Sequence, residues 1–312
     1  MLVISARQIH TVLDWEPVLD ALYQAHLGLR PLGGSYFIGD PEYGLFSRGV
    51  VLPGRGAGLK MASICPANAQ ATPALPTEDA AFLVVDETTK AITAVLDGPA
   101  ITACKTAADS ALAARRLSRE DSRVLLVLGA GPVARALTDA YLHIRPSIRQ
   151  VLLWNRSPAR LQDALEALQA RGIDAAIVND LDAAVAQADI ISTATSTATP
   201  LIQARHVRPG THVDLVGGFR PDMQEAESAL LGKARIFVDD RSSAAVAGDI
   251  LIPLREGVID EQRIEGDLFD LCQDAGFRRG QEQITVYKNA GGAHLDLVVS
   301  QFVIERLKEG GV

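Results

Sequence analysis

Apolar residues change their spacing along this chain, and each change predicts a different kind of element. Val18, Leu19, Leu22, Ala25 and Leu29 recur at helical spacing and predict a helix with one buried face. Ser5 and Gln8 stand at capping-box spacing for a shorter helix ahead of it, and Asp14 is the candidate cap of the second. From residue 36 to 97 the pattern becomes short β-rich runs, LFSRGVV, GLKMASIC, AAFLVVD and AITAVL, parted by Gly- and Pro-rich turns as in an antiparallel meander. ITACKTAADSALAARRL, 101–117, reads as one Ala-rich helix, with Gly98-Pro99 as punctuation before it. After SREDSR, strand and helix alternate, with strands predicted at 123–128, 150–154, 175–178, 189–193, 211–216 and 235–239. The end of the chain holds another short strand, ITVYK, and an amphipathic helix from about 292 to 309. Repeated βα units predict a parallel sheet wrapped by helices.

Within that series, VLLVLGAGPVARAL (124–137) breaks from an apolar strand into glycines and resumes as a helix. Gly129, Gly131 and Ala134 fill the Gly-x-Gly-x-x-Gly/Ala pattern. The first glycine makes the turn, the second admits a pyrophosphate to the backbone, and the small third residue lets helix and strand pack closely. Pro132 and Val133 open a helix whose unpaired N–H groups and positive dipole end suit phosphate. The strand context makes this a dinucleotide site. The second strand ends in Asn155, Arg156 and Ser157 where a ribose-binding acid is usual. A guanidinium accepts a 2′-phosphate that a carboxylate repels, so Arg156, helped by Arg160, points to NADP(H), with NAD(H) as the alternative. Thr193 and Thr195, in STATS (192–196), are expected to line the same crevice.

The fold class is therefore α/β: a Rossmann domain with a parallel sheet, plus a separate α+β domain. The boundaries expected are 1–117, completed by 284–312, for the α+β domain and 118–283 for the dinucleotide-binding domain. Composition narrows the function. Hydrophobic content of 48% and charged content of 22% are those of a soluble globular protein. A net charge of −8 argues against nucleic acid and anionic membrane as partners. Cys65, Cys104 and Cys272 show neither metal-ligand pairing nor a disulfide framework, so no metal is expected and reduced thiols are. MLVISARQIH lacks the basic start and apolar core of a signal peptide, and no apolar stretch approaches the roughly 20 residues that span a bilayer. A cytoplasmic location is expected.

An ordered set of segments resembles the ornithine cyclodeaminase/mu-crystallin family over nearly the whole chain. The set comprises SRGVVLPG (47–54), GLKMAS (58–63), TACKTAADSALAARRL (102–117), LGAGPVARA (128–136), GGFRPDMQE (217–225), AGDILIPLREGVI (247–259) and ITVYKNAGGAHLDL (284–297). The resemblance implies that the α+β domain is a substrate-binding and dimerisation domain through which a homodimer forms, and it implies NAD(P) chemistry on small imino or amino acids. It implies that Arg48 and Lys60 face the substrate carboxylate and nitrogen, with Lys60 catalytic. Lys105 stands where the family usually has Arg, which keeps the charge and loses the fork. Thr106 is implied to approach the cofactor, and Asp296 to orient the lysines.

Phe219 occupies the position where cyclodeaminases carry Asp; the nearest carboxylate is Asp222, the second candidate catalytic residue. That form is similar to the ketimine-reductase branch, so reduction of pyrroline- or piperideine-2-carboxylate is the function implied. The alternatives are an ornithine cyclodeaminase and a non-enzymatic NADP- or ligand-binding protein. His212, inside a strand, reads as a core histidine; His294 is expected at the surface.

Overall fold

The computed structural model describes residues 1–40, 42–73, 75–277 and 279–311, with residue 69 described in its backbone alone. The chain divides into two compact units, Met1–Lys105 with Gly292–Val312, and Thr106–Gly291.

The first unit opens with β1 (Leu2–Ile4), α1 (Ala6–Val12) and α2 (Trp15–His26). The Ser5–Gln8 capping box forms, whereas Asp14 precedes α2 without a side-chain cap bond. There follow β2 (Leu32–Gly39), β3 (Gly44–Leu52), β4 (Gly56–Ile64), β5 (Glu78–Val85) and β6 (Ile92–Asp97). Together the strands make a six-stranded sheet in the order β1-β6-β5-β4-β3-β2, antiparallel except where β1 joins β6. One face of the sheet carries Val50, Ala62, Phe82, Val84 and Leu96, all buried. The last helix of the chain packs against β3, β4, β5 and α2.

α3 runs from Gly98 to Leu117, so Gly98 and Pro99 form its first turn and not a break before it. Proline suits that place because first-turn N–H groups have no intrahelical partner to lose.

The second unit contains β7 (Val124–Leu128), α4 (Pro132–Ile144), β8 (Gln150–Trp154), α5 (Gln162–Ala170), β9 (Asp174–Ile177), α6 (Leu181–Gln187) and β10 (Ile190–Thr193). It continues through β11 (His212–Leu215), α7 (Ser228–Lys233), β12 (Arg235–Val238), α8 (Arg241–Ala244), α9 (Gly248–Arg255), β13 (Ile264–Asp267), α10 (Leu268–Gln273) and β14 (Thr285–Lys288). Its eight strands are all parallel, in the order β13-β12-β14-β11-β10-β7-β8-β9. Strands covered on both faces read as unbroken apolar runs, which is why VLLVL shows no alternation: Leu125, Leu126, Val127 and Leu128 are all buried.

The domain boundaries differ from those expected. β14, the ITVYK strand, lies between β11 and β12 in the second sheet and so does not complete the first unit. The division falls at 105/106, inside α3, because Ser110 of that helix bonds Asp214 of β11. α11 (Ala293–Glu309) returns to the first unit; residues 293–300 are buried on every side of it, and it is amphipathic only towards its end, where Glu305, Arg306, Lys308 and Glu309 are exposed. Among the described residues, no helix is long and apolar enough to cross a membrane.

Candidate active site

The antiparallel register of β3 and β4 sets Arg48 directly opposite Lys60, and continues to Phe82 and Leu96 on the same sheet face. Lys60 Nζ donates to Thr102 Oγ1 at 2.5 Å, and that hydroxyl donates in turn to the Gly98 carbonyl at 2.6 Å. Asp296, on α11, draws the lysines together: Lys60 Nζ lies 3.7 Å from its Oδ1 and Lys105 Nζ 3.9 Å from its Oδ2. These separations pair charges but exceed hydrogen-bond length, and Asp296 Oδ1 has no hydrogen-bond partner among the described residues. Side chains of Lys105 and Asp296 are 4% and 2% exposed, that of Lys60 13%. Arg48 lies 5.4 Å over the Phe46 ring. The grouping of Arg48, Lys60 and Lys105 with Asp296 suits an anionic ligand, and the enclosure strengthens each charge.

His294 is buried, contrary to expectation, because α11 is enclosed at its start: its Nε2 meets His26 Nε2 at 3.1 Å. His26 Nδ1 lies 2.7 Å from the Leu22 carbonyl, so Nδ1 carries the hydrogen and Nε2 accepts. Burial lowers the pKa of His26 to about 4. His212 is a core histidine as read, bonded to Thr285 Oγ1 at 2.9 Å and lowered by burial to about 3.

In the second unit, β7 is followed by β8 and β9 on one side, and β10 then pairs with it on the other. Ligands of open α/β sheets bind outside the carboxyl ends of the strands at such a reversal. Gly129 turns there with φ +126°, and a Cβ on it would come within 2.5 Å of the Ala194 carbonyl oxygen. Gly131 is the N-cap of α4 with Pro132 at its first turn, and among the described residues no heavy atom beyond its own chain neighbours lies within 4 Å of where its Cβ would be. That open backbone, with the Val133 and Ala134 N–H groups in the first turn, fits a pyrophosphate. Asn155 Nδ2 donates to the Ser157 carbonyl at 2.9 Å, and Arg156 is exposed. Thr106 is buried, and its carbonyl accepts from Asn289 Nδ2 at 3.0 Å.

Of the two threonines of STATS, Thr193 does other work than expected. Thr193 is fully buried and gives its hydroxyl to Glu225 Oε2 at 2.6 Å, so it supports the crevice from behind and does not line it. Thr195, half-buried, bonds Glu225 Oε1 through its N–H at 2.8 Å and its hydroxyl at 2.7 Å. Glu225, Asp249 and Lys288 form a fully buried charged group that the sequence reading missed. Lys288 Nζ donates to Asp249 Oδ2 at 3.0 Å, and the Glu225 N–H to Asp249 Oδ1 at 2.7 Å. The signal was present: Asp249 and Lys288 interrupt the apolar runs of AGDILIP and ITVYK, and a charge inside a buried run requires an internal partner. Burial and the neighbouring Asp249 push the Glu225 carboxyl above its usual range, against the pull of Lys288 and the threonine hydroxyls.

Asp222 is the candidate least suited to its assigned role. It is exposed and bonded to Arg220, with Nε donating to its Oδ1 at 2.9 Å. That pairing holds its carboxyl below the usual range, the opposite of what a proton donor needs. Phe219 is likewise exposed. Among the described residues there is no His, Cys, Asp and Glu cluster able to hold a metal ion.

The sequence profile of the ornithine cyclodeaminase/mu-crystallin family matches residues 52–311. A Δ1-pyrroline-2-carboxylate reductase of Paracoccus denitrificans is 42% identical over 293 residues, 93% of this chain and 92% of that protein. Among solved structures, Thermococcus litoralis Δ1-pyrroline-2-carboxylate reductase in complex with NADH and L-proline superposes with a TM-score of 0.92 at 28% identity, covering 100% of this chain and 99% of that one. The iminosuccinate reductase of Paracoccus denitrificans in complex with NAD+ gives 0.90 at 26%, covering 100% and 98%. With a profile match of that length and a relative that similar, this chain belongs to the ornithine cyclodeaminase/mu-crystallin family.

Proposed function

We propose that this protein reduces the C=N bond of a small cyclic imino acid, Δ1-pyrroline-2-carboxylate or its six-membered homologue piperideine-2-carboxylate, with NADPH preferred over NADH. In this reading the first unit binds the imino acid and pairs two copies of the chain, the second unit holds the dinucleotide, and the enzyme works in the cytoplasm. The observation that carries it is the gathering of Lys60 and Lys105 about Asp296, with Arg48 set opposite Lys60.

Arg48 grips the carboxylate through two parallel hydrogen bonds, and Lys105 adds a point charge. Lys60 is oriented by Thr102 and lies 3.7 Å from Asp296 Oδ1, and in this reading its ammonium donates to the ring nitrogen. Protonation of that nitrogen makes the imine carbon more electrophilic. Bound NAD(P)H supplies the hydride, so one cofactor is oxidised and one proton consumed for each amine formed. The 42% identical reductase supports the substrate class, and Arg156, where a ribose-binding acid is usual, supports the phosphorylated cofactor.

The test is turnover by purified protein with NADPH and with NADH on pyrroline-2-carboxylate, piperideine-2-carboxylate, ornithine and alanine with their keto acids. Stoichiometric NADPH consumption with a cyclic imine is expected. Ammonia release from ornithine without net change in cofactor establishes a cyclodeaminase instead. Cofactor binding without any turnover establishes a binding protein.

A further inference from the structure

We propose that Glu225 is a positioning residue for the dinucleotide, acting through the Ala194–Thr195 segment. The inference rests on the reading that the second unit binds the cofactor. Four donors converge on this one carboxylate. Oε1 accepts from the N–H and hydroxyl of Thr195 at 2.8 and 2.7 Å; Oε2 accepts from the Gly217 N–H and the Thr193 hydroxyl, both at 2.6 Å. A carboxylate is acceptor-only when ionised, and two backbone N–H groups among the four donors suit no other state so well. Glu225 is in turn fixed through Asp249 and Lys288.

What it fixes is the wall of the crevice. The segment after β10 passes between two glycines. A Cβ on Gly129 would approach the Ala194 carbonyl oxygen at 2.5 Å, and a Cβ on Gly217 would overlap the Thr195 carbonyl and Glu225 Oε1. The first glycine of the dinucleotide loop is therefore seated against backbone that Glu225 holds by hydrogen bonds. If that backbone relaxes, the loop loses its seat and the pyrophosphate its geometry. Glu225 itself is fully buried, so it acts through the backbone it holds.

Glu225→Gln keeps the shape and removes the charge; its NH2 must face one pair of donors, so either the Thr195 or the Gly217 anchor is lost. NADPH and NADH affinity is read by cofactor fluorescence well below the unfolding midpoint, with circular dichroism to establish folding. Dissociation constants about tenfold higher are expected. Hydrogen exchange should rise at residues 194–196 and 216–218 while the rest of the second sheet keeps its protection. Thr193→Val is the milder companion should Glu225→Gln not fold. It removes one donor at a fully buried position, and a several-fold weaker cofactor is expected although no ligand contact is touched. A folded Glu225→Gln, or Thr193→Val, with a lowered unfolding midpoint and unchanged cofactor affinity shows a merely structural role and overturns the inference. A wild-type protein that binds neither cofactor overturns the proposed function, and this inference with it.

Discussion

Arg48 on β3 stands opposite Lys60 on β4, and both project from the sheet face against which α11 packs. Register puts them there, because a slip of one residue would turn either side chain to the opposite face. If they hold the imino acid with Lys105, losing one charged contact should cost about 1.5–3 kcal/mol, or roughly 10- to 150-fold in kcat/KM. Arg48→Ala should cost more than Lys105→Ala, since the guanidinium alone offers a fork. Lys105→Arg should be tolerated. Cofactor affinity should scarcely move in any of them. Steady-state kinetics with separate cofactor titrations decide; unaltered imine kinetics in Lys105→Ala place that residue outside the pocket.

Arg156 offers the clearest test of cofactor choice, for it follows β8 at the corner where an acid would bind ribose hydroxyls. Arg156→Asp should weaken NADPH roughly tenfold or more and leave NADH nearly unchanged. Because the side chain is exposed, the difference should shrink as salt is added. Equal losses for both cofactors would remove the case for a 2′-phosphate contact.

The sheet of the first unit has a second face, and part of it carries exposed apolar side chains. Tyr36, Met61 and Leu83 share that face across β2, β4 and β5, with Leu32 and Ile38 beside Tyr36. Leu32, Tyr36, Ile38 and Met61 are 69, 59, 59 and 45% exposed, and β2 is an unpaired edge. If two copies pair through the first unit, as proposed, this is the patch their pairing would cover. Tyr36→Glu with Met61→Glu should yield a folded monomer where the wild type sediments as a dimer. A wild type that is monomeric at all concentrations contradicts the assignment.

How much of this was legible beforehand depends on whether the signal was local. The strands β7 to β12 fall within a residue or two of their predicted places, because each contains a short apolar stretch between polar turns. β2 was not seen as a strand over its length, since LGGSYFIG is glycine-rich and exposed throughout and so shows no alternation. Strand order is not written in any one segment, and β14 was for that reason assigned to the wrong unit. The same holds for Glu225, Asp249 and Lys288, which come from three separate motifs and meet only in the fold. His294 was misplaced because burial of a whole helix circumference leaves no polar stripe to read.

The buried pair His26 and His294 gives a prediction in pH. His26 is neutral in the fold, with its pKa lowered from 6.5 to about 4, chiefly by burial. The unfolded chain takes up a proton near pH 6.5 and the folded one does not until about pH 4. Its contribution is therefore whole above pH 6.5 and is lost as the pH falls through that window. Between pH 7.5 and 5 the loss through this residue amounts to about 2 kcal/mol. His26→Gln replaces the ring with a group that does not titrate. It should be less stable than wild type at pH 7.5, because the bond to His294 is altered, but should lose about 2 kcal/mol less than wild type on going to pH 5. Urea unfolding at the two pH values measures both quantities. Parallel losses in the two proteins would show that His26 is already protonated in the fold, and the hydrogen-bond assignment of the pair would be wrong.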